Sequence, residues 1–267
     1  MRKYILFSFL PLAVLLVLLT CATNPLSGKS TMALVDNTEL FAMSFQEYDQ
    51  FLAENKVITG TAEANMVERV GQNIRTAAEK WLASEGQSNY LDGYEWEYHL
   101  VDSEEVNAWC MPGGKIVVYS GILPVTETED GLATVMGHEV AHALLNHGQQ
   151  RMSAGVLQQL GGSLVGAVVS GGSENTQALT MLAYGVGSQV LGTLPFSREH
   201  ESEADHYGLI LMAIAGYEPE ESVPFWERMS ALSGGTIEFL STHPSDTTRI
   251  RQLRGWMAEA KKKAAEF

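Results

Sequence analysis

Cysteine is nearly missing from this sequence: the 267 residues hold two, Cys21 and Cys110. A framework of disulfides is therefore excluded as the source of stability. Positive charge is scarce as well, with 17 Lys and Arg against 32 Asp and Glu and a formal net charge of -15. Without surplus cations to neutralise phosphates, nucleic acid is excluded as a partner. Apolar residues are not lacking. At 45% hydrophobic and 9% aromatic, the composition supports a packed core and excludes wholesale disorder. The length suits one large domain or two small ones, and we read residues 36–267 as a single domain.

One stretch carries chemistry: G-H-E-V-A-H-A-L-L-N-H at 137–147, in which His138, Glu139 and His142 spell H-E-x-x-H. Positions i and i+4 share a helix face, so the two imidazoles can bind one metal ion. Glu139 lies about 100° further round, beside the metal, where it can take a proton from an attacking water. Two neutral His ligands, an open position and an adjacent carboxylate base are the parts of a zinc hydrolase. Thr128 or Asp130 is placed to cap the helix, which is expected to run to about His147 and end at Gly148. His147 lies five residues past His142 and is expected to point elsewhere, facing the helix dipole in the last turn. The metzincin pattern is excluded, because Leu145 and Gly148 stand where its Gly and third His are required.

A third ligand must come from further on, for there is no Asp or Glu between His142 and Ser173. Carboxylates then cluster in S-R-E-H-E-S-E-A-D at 197–205. Glu201 and Asp205 share a face with the small Ala204 and Gly208, which would let this helix approach another backbone closely. Glu199, Glu203 and His206 fall on the opposite side, and Glu199 and Glu203 read as a solvated face. Glu201 is thus the expected third ligand, with Asp205 accepting a hydrogen bond from a ligand His.

Met1 to Leu19 reads as a targeting segment. Arg2 and Lys3 precede an apolar run, Tyr4 to Leu19, broken only by Ser8 and Pro11. With Cys21 next in Leu-Leu-Thr-Cys, the segment resembles a bacterial lipoprotein signal, in which the Cys is acylated after cleavage; Thr20 departs from the smaller residue usual there. The expected organisation is a signal peptide at 1–20, a lipid-anchored tether at 21–35 and the domain at 36–267. With Cys21 acylated, Cys110 has no partner and reads as a buried, inert thiol.

Between these segments, helices are expected from Asp36 and over Thr61 to Ala83. Strands are expected over Tyr94 to Val101, Val106 to Met111 and Lys115 to Tyr119, the last two joined at Pro112-Gly113-Gly114. The sheet edge either takes up an extended peptide through its backbone or merely packs on helices; the residues leave both open. Met152 to Thr193, with nine glycines from Gly155 to Gly192, reads as two helices broken at Gly171-Gly172. They are expected to pack on the catalytic core, since Gln158, Gln159 and Ser163 count against a membrane hairpin. Pro219 to Leu232 is a further helix, broken at Gly234-Gly235, and Asp246 to Lys263 is the last.

H-E-V-A-H followed far downstream by E-S-E-A-D resembles the gluzincin metallopeptidases of family M48. N-A-W-C-M-P-G-G-K-I-V-V-Y-S-G at 107–121 is similar to that family's edge strand and hairpin, and T-H-P-S-D-T-T-R-I at 242–250 to its C-terminal His-Pro loop. The resemblance implies a mostly helical α+β fold, with a zincin-type core and a small antiparallel sheet packed on the metal-binding helix. It implies an endopeptidase holding one Zn²⁺ per chain through His138, His142 and Glu201. The branch closest in organisation consists of periplasmic proteases tied to outer-membrane quality control. On that reading the substrates are exported or misfolded polypeptides, the chain is lipid-anchored at the outer membrane, and envelope assembly machinery is a possible partner.

Glu139 is the expected general base, worth about 10²–10⁴-fold. His243 and Arg249 are candidates to hold the oxyanion, Arg249 alternatively to support the loop. His243 precedes a proline and is expected on an extended loop. There it holds the oxyanion, fills the open zinc position at rest, or is structural; we favour the blocking role. The rival from another class is a non-catalytic chaperone or assembly factor with structural zinc, against which an intact Glu139 argues.

Overall fold

The computed structural model describes residues 21–188, 194–232, 238–243 and 247–267. The signal at 1–20, the Gly234-Gly235 break and the start of the last helix at Asp246 lie outside the described residues. The domain is mostly helical with two small sheets.

Local chemistry starts the helices where the sequence places them. The Asp36 carboxylate accepts the N–H of Thr38 at 2.8 Å and caps α1, Asn37–Glu54. Thr61 accepts the N–H of Ala64 and caps α2, Ala62–Ser84, whose buried face is Val67, Val70, Ile74, Ala77, Ala78, Trp81 and Leu82. That spacing follows the 3.6-residue period. Thr128 caps α3, Glu129–Leu144, with Glu129 and Asp130 in the first turn to complement the helix dipole. Every residue of α3 from Gly131 to Leu144 is buried, which explains its Ala, Val and Gly content.

The helix stops earlier than expected. Asn146 adopts the left-handed conformation, φ 57°, and α4 runs from there, His147–Val169. Asn tolerates this region better than most residues, so Asn146, not Gly148, ends α3, and His147 opens a new helix.

The main sheet has the order β3-β4-β6-β5, with β3 Val57–Ile58, β4 Glu97–Val101, β5 Ala108–Met111 and β6 Lys115–Tyr119. It is antiparallel at β3–β4 and β5–β6, but β4 and β6 run parallel. The reason is the tight β5–β6 hairpin at Gly113 and Gly114, φ 90° and 91°, which fills one side of β6 and leaves β4 the other. β5 is the edge and packs against α3. Cys110 on β5 is a free, partly buried thiol, and burial pushes its pKa well up. A second sheet pairs β1 Cys21–Thr23 with β2 Ser30–Met32.

Helix α4 and helix α5, Glu174–Ser188, form a hairpin, as the glycine break suggested. Its expected packing on the catalytic core is not found. The two helices pack on each other, with Tyr184 seated against Gly161 and Gly162. Their outer faces are exposed, Leu164 at 69% and Val168 at 85%. Only the first turns of α4 are buried.

Helix α6, Leu194–Ile214, lies across α3, and α9, Thr247–Ala264, packs on α6; α7 spans Ser222–Ala231 and α8 Glu238–Thr242. The α3–α6 crossing is set by two glycines. A Cβ on Gly137 would come 2.8 Å from the carbonyl oxygen of Gly208, and one on Gly208 would come 2.8 Å from the amide nitrogen of His138. Both neighbours are backbone and cannot swing aside. Gly208→Ala is therefore expected to cost about 1–3 kcal/mol by overpacking. Gly166→Ala, where nothing lies within 4 Å, should be neutral or stabilising by about 0.5–1 kcal/mol. Urea denaturation of the two variants checks this.

Candidate metal centre

Two helices and a turn converge on one point. Helix α3 presents His138, Glu139 and His142, all nearly fully buried, and α6 presents Glu201 and Asp205 across the glycine contact. His243 follows α8. Its N–H donates to the carbonyl of Phe239 at 2.8 Å, with Phe239 completely buried, so His243 closes a helical turn and is not on an extended loop. One ligand atom each from His138, His142, Glu201 and His243 lie within 4.8 Å of one another.

The distances suit a small cation. His138 Nε2 and His142 Nε2 are 3.1 Å apart. Glu201 reaches them at 3.4 and 3.3 Å, and His243 Nδ1 lies 3.2 Å from His138 Nε2 and 2.8 Å from Glu201 Oε2. Ligands around a tetrahedral ion with bonds of about 2.0–2.1 Å would stand roughly 3.3 Å apart. Glu139 is not in the ring. Its buried Oε1 makes no hydrogen bond among the described residues and lies 3.4 Å from His243 Nε2. Charge agrees with geometry. With the imidazoles neutral, as ligation of a metal requires, the buried carboxylates Glu139, Glu201 and Asp205 face the guanidinium of Arg249, which leaves two negative charges for a divalent cation to match.

Each ligand-forming imidazole is held from behind. His138 Nδ1 donates to Asp205 Oδ1 at 2.9 Å, and Asp205 accepts from Arg249 Nε at 2.6 Å. Arg249 also donates to Glu201 at 2.8 Å and to the carbonyl of His243 at 3.3 Å. Its guanidinium stacks 3.8 Å from the Trp226 ring centre. Arg249 thus braces Glu201 and the His243 turn.

The second imidazole has a longer chain of support, which the sequence reading missed. His147 is completely buried. Its Nδ1 lies 2.8 Å from His142 Nδ1, and its Nε2 lies 3.1 Å from Glu203 Oε2. Glu203 pairs with Lys29 at 2.7 Å. The tautomers order themselves: a free Nε2 on His142 puts its proton on Nδ1, donated to His147, whose own Nε2 proton goes to Glu203. His147 also stacks on His200, with ring centres 3.9 Å apart. The expectation that Glu203 lies on a solvated face is therefore not met: it pairs with His147 and Lys29. The left-handed turn at Asn146 folds α4 back, so that His147 covers the side of α6 that carries Glu203. Nothing in the spacing of the motif signals this; only Glu199 keeps the exposed position assigned to it.

The ionisation pattern follows. For His138, burial is outweighed by hydrogen bonds to Asp205 and Glu201, which push its pKa up to about 9. Burial holds His142 well below its ordinary value, so it is neutral. Glu201 sits well below the carboxylate range: burial is overcome by hydrogen bonds from His138, His142 and His243. In Glu203, burial is overcome by His147 and Lys29, giving about 2.

Residues 68–257 match the model of peptidase family M48. The chain is 36% identical over 182 residues to mitochondrial metalloendopeptidase OMA1 of Saccharomyces cerevisiae, covering 65% of this chain and 50% of that protein. It is 28% identical over 176 residues to metalloprotease YcaL of Escherichia coli, covering 65% and 66%. It is also 28% identical over 166 residues to the beta-barrel assembly-enhancing protease of Escherichia coli, covering 59% and 33%. The chain spans about half the length of the OMA1 relatives it matches.

If the imidazoles hold a metal, their supports should tune its affinity. Asp205→Asn and His147→Ala are each expected to weaken it about 10–100-fold. Glu203→Ala should weaken it in the same direction. Competition with a chromophoric chelator measures this, and an unchanged affinity in His147→Ala would remove the role given to the longer chain.

Proposed function

The chain belongs to peptidase family M48, and from that premise we propose that it is a zinc-dependent endopeptidase. The observation that carries the reading is the buried ring of His138, His142 and Glu201 with Glu139 beside it, its carboxylate oxygen unpartnered. His138, His142 and Glu201 would hold one Zn²⁺. When bound, the ion supplies Lewis-acid polarisation of the peptide carbonyl and lowers the pKa of water toward about 7. Glu139 takes a proton from the water as its oxygen attacks the carbonyl carbon, then delivers that proton to the amine as the C–N bond breaks. Burial of Glu139 excludes competing solvent. Asp205 fixes the ring of His138, and Arg249 fixes Asp205 and Glu201.

His243 takes the place of a fourth ligand at rest, in line with its contacts to Glu201 and His138. It must move before a substrate carbonyl can enter. The free edge of β5, lying along α3, supports binding of the substrate as an added strand. The class of substrate is exported or misfolded polypeptide at a cell envelope. The apolar run before Cys21 supports attachment there, through acylation of Cys21. The name of the Escherichia coli beta-barrel assembly-enhancing protease supports envelope assembly machinery as a partner. A non-catalytic chaperone with structural zinc would have no use for a buried, unpartnered Glu139.

Cleavage of casein with and without a chelator, beside metal analysis, tests the reading. Glu139→Gln should lower turnover by about 10²–10⁴-fold with the metal retained. Normal turnover in that variant removes Glu139 as the base. His243→Ala should raise basal turnover with the metal retained. A fall of about 10²–10³-fold instead would assign His243 to the oxyanion.

A further inference from the structure

We propose that the α4–α5 hairpin is a membrane-binding element. Helix α4 lies along a lipid bilayer with Val156, Leu160, Leu164 and Val168 immersed at the acyl-chain boundary, and α5 lies beside it. Those four side chains fall four residues apart in a row, and Leu179, Met181 and Leu182 are exposed on α5. Of the ten large apolar side chains exposed among the described residues, these are seven. Scattered exposure needs no cause, but concentration on one element does.

Composition and burial point the same way. An 18-residue stretch of His147–Val169 has a mean hydropathy of 1.3, yet only 6% of that stretch is buried. A core helix of such composition would be enclosed. Three polar side chains of the hairpin are satisfied within it. Ser163 donates to the carbonyl of Gln159 at 3.0 Å, Thr180 to that of Thr176 at 2.8 Å, and Tyr184 to that of Gln158 at 2.9 Å. Lipid offers no hydrogen bonds, so such self-satisfaction is what it requires.

The chain leading into the structure says what covers this face. Residues 4–19 are almost wholly apolar and lead into Cys21. Cys21 pairs with Met32, and Leu34 donates its N–H to Ser153 Oγ at 3.0 Å. Ser153 is the last buried residue of α4. Cys21, at which the apolar run of the sequence ends, is therefore held beside the start of the exposed row, which favours a bilayer over a second copy or a bound polypeptide. Length and tip decide the orientation. Beyond Ser153, α4 extends 16 residues, or about 24 Å, short of the roughly 30 Å hydrocarbon core. An upright hairpin would also bury Glu174 and its neighbours Ser173 and Asn175. The element lies in the interface and does not cross.

The test uses the unprocessed full chain, with residues 1–20 retained, in vesicles of phosphatidylethanolamine and phosphatidylglycerol, doped with a phosphatidylcholine carrying a diazirine on its acyl chain. After irradiation, adducts are mapped by mass spectrometry. Adducts are expected on peptides covering 154–169 and 174–188 as well as on residues 1–20. In Leu160→Asp/Leu164→Asp, hairpin adducts should fall about tenfold, with labelling of residues 1–20 and thermal unfolding unchanged. Adducts confined to residues 1–20, or equal hairpin labelling in the variant, overturn the proposal. Neither readout depends on peptidase activity.

Discussion

The whole site depends on how closely two helices cross. Gly137 immediately precedes His138, and Gly208 lies one turn beyond Asp205. Where these glycines meet, backbone touches backbone. No side chain stands between α3 and α6, so a short carboxylate on one helix can reach an imidazole on the other. Any Cβ there would lengthen the distances from Glu201 and Asp205 to the imidazoles of α3.

That closeness has an electrostatic consequence. Ionised groups gathered away from water are tolerated only where partners compensate them. Here compensation is layered. Arg249 answers Asp205 and Glu201, Lys29 answers Glu203, and Trp226 covers the guanidinium with an aromatic face. Each imidazole has its own route to a cation, one through a single carboxylate and the other through a second imidazole. The two routes come from opposite ends of the chain, so the site joins sequence segments that no local rule connects.

The sequence made some of this legible and hid the rest for physical reasons. H-E-x-x-H, Glu201 and Asp205 could be read because a helix converts spacing into direction, and because Gly208 marked the side of α6 that faces another backbone. The helix starts near Asp36, Thr61 and Thr128 or Asp130 were readable because a residue that caps a helix does so through a local hydrogen bond. His147 and Glu203 were not. Their meeting follows from one left-handed residue, Asn146, which redirects the chain, and Asn is equally at home in many ordinary positions. The parallel β4–β6 pairing was hidden because strand order is decided between distant segments. The position of the glycine-rich hairpin was misjudged because composition reports that a face is apolar without reporting what meets it. His243 was placed near the site by resemblance, but the helical turn that carries it depends on Phe239 being buried.

One feature of the first described residues reaches further than its size suggests. Asn24 donates to the carbonyl of Leu144 at the end of α3, and Lys29 pairs with Glu203 behind His147. The stretch proposed as the tether is thus also a latch on the domain. A proteolytic nick between Cys21 and Lys29 would do more than set the molecule adrift. It would uncap the ligand helix and leave a buried acid without its cation, so detachment and failure of the centre would arrive as a single event.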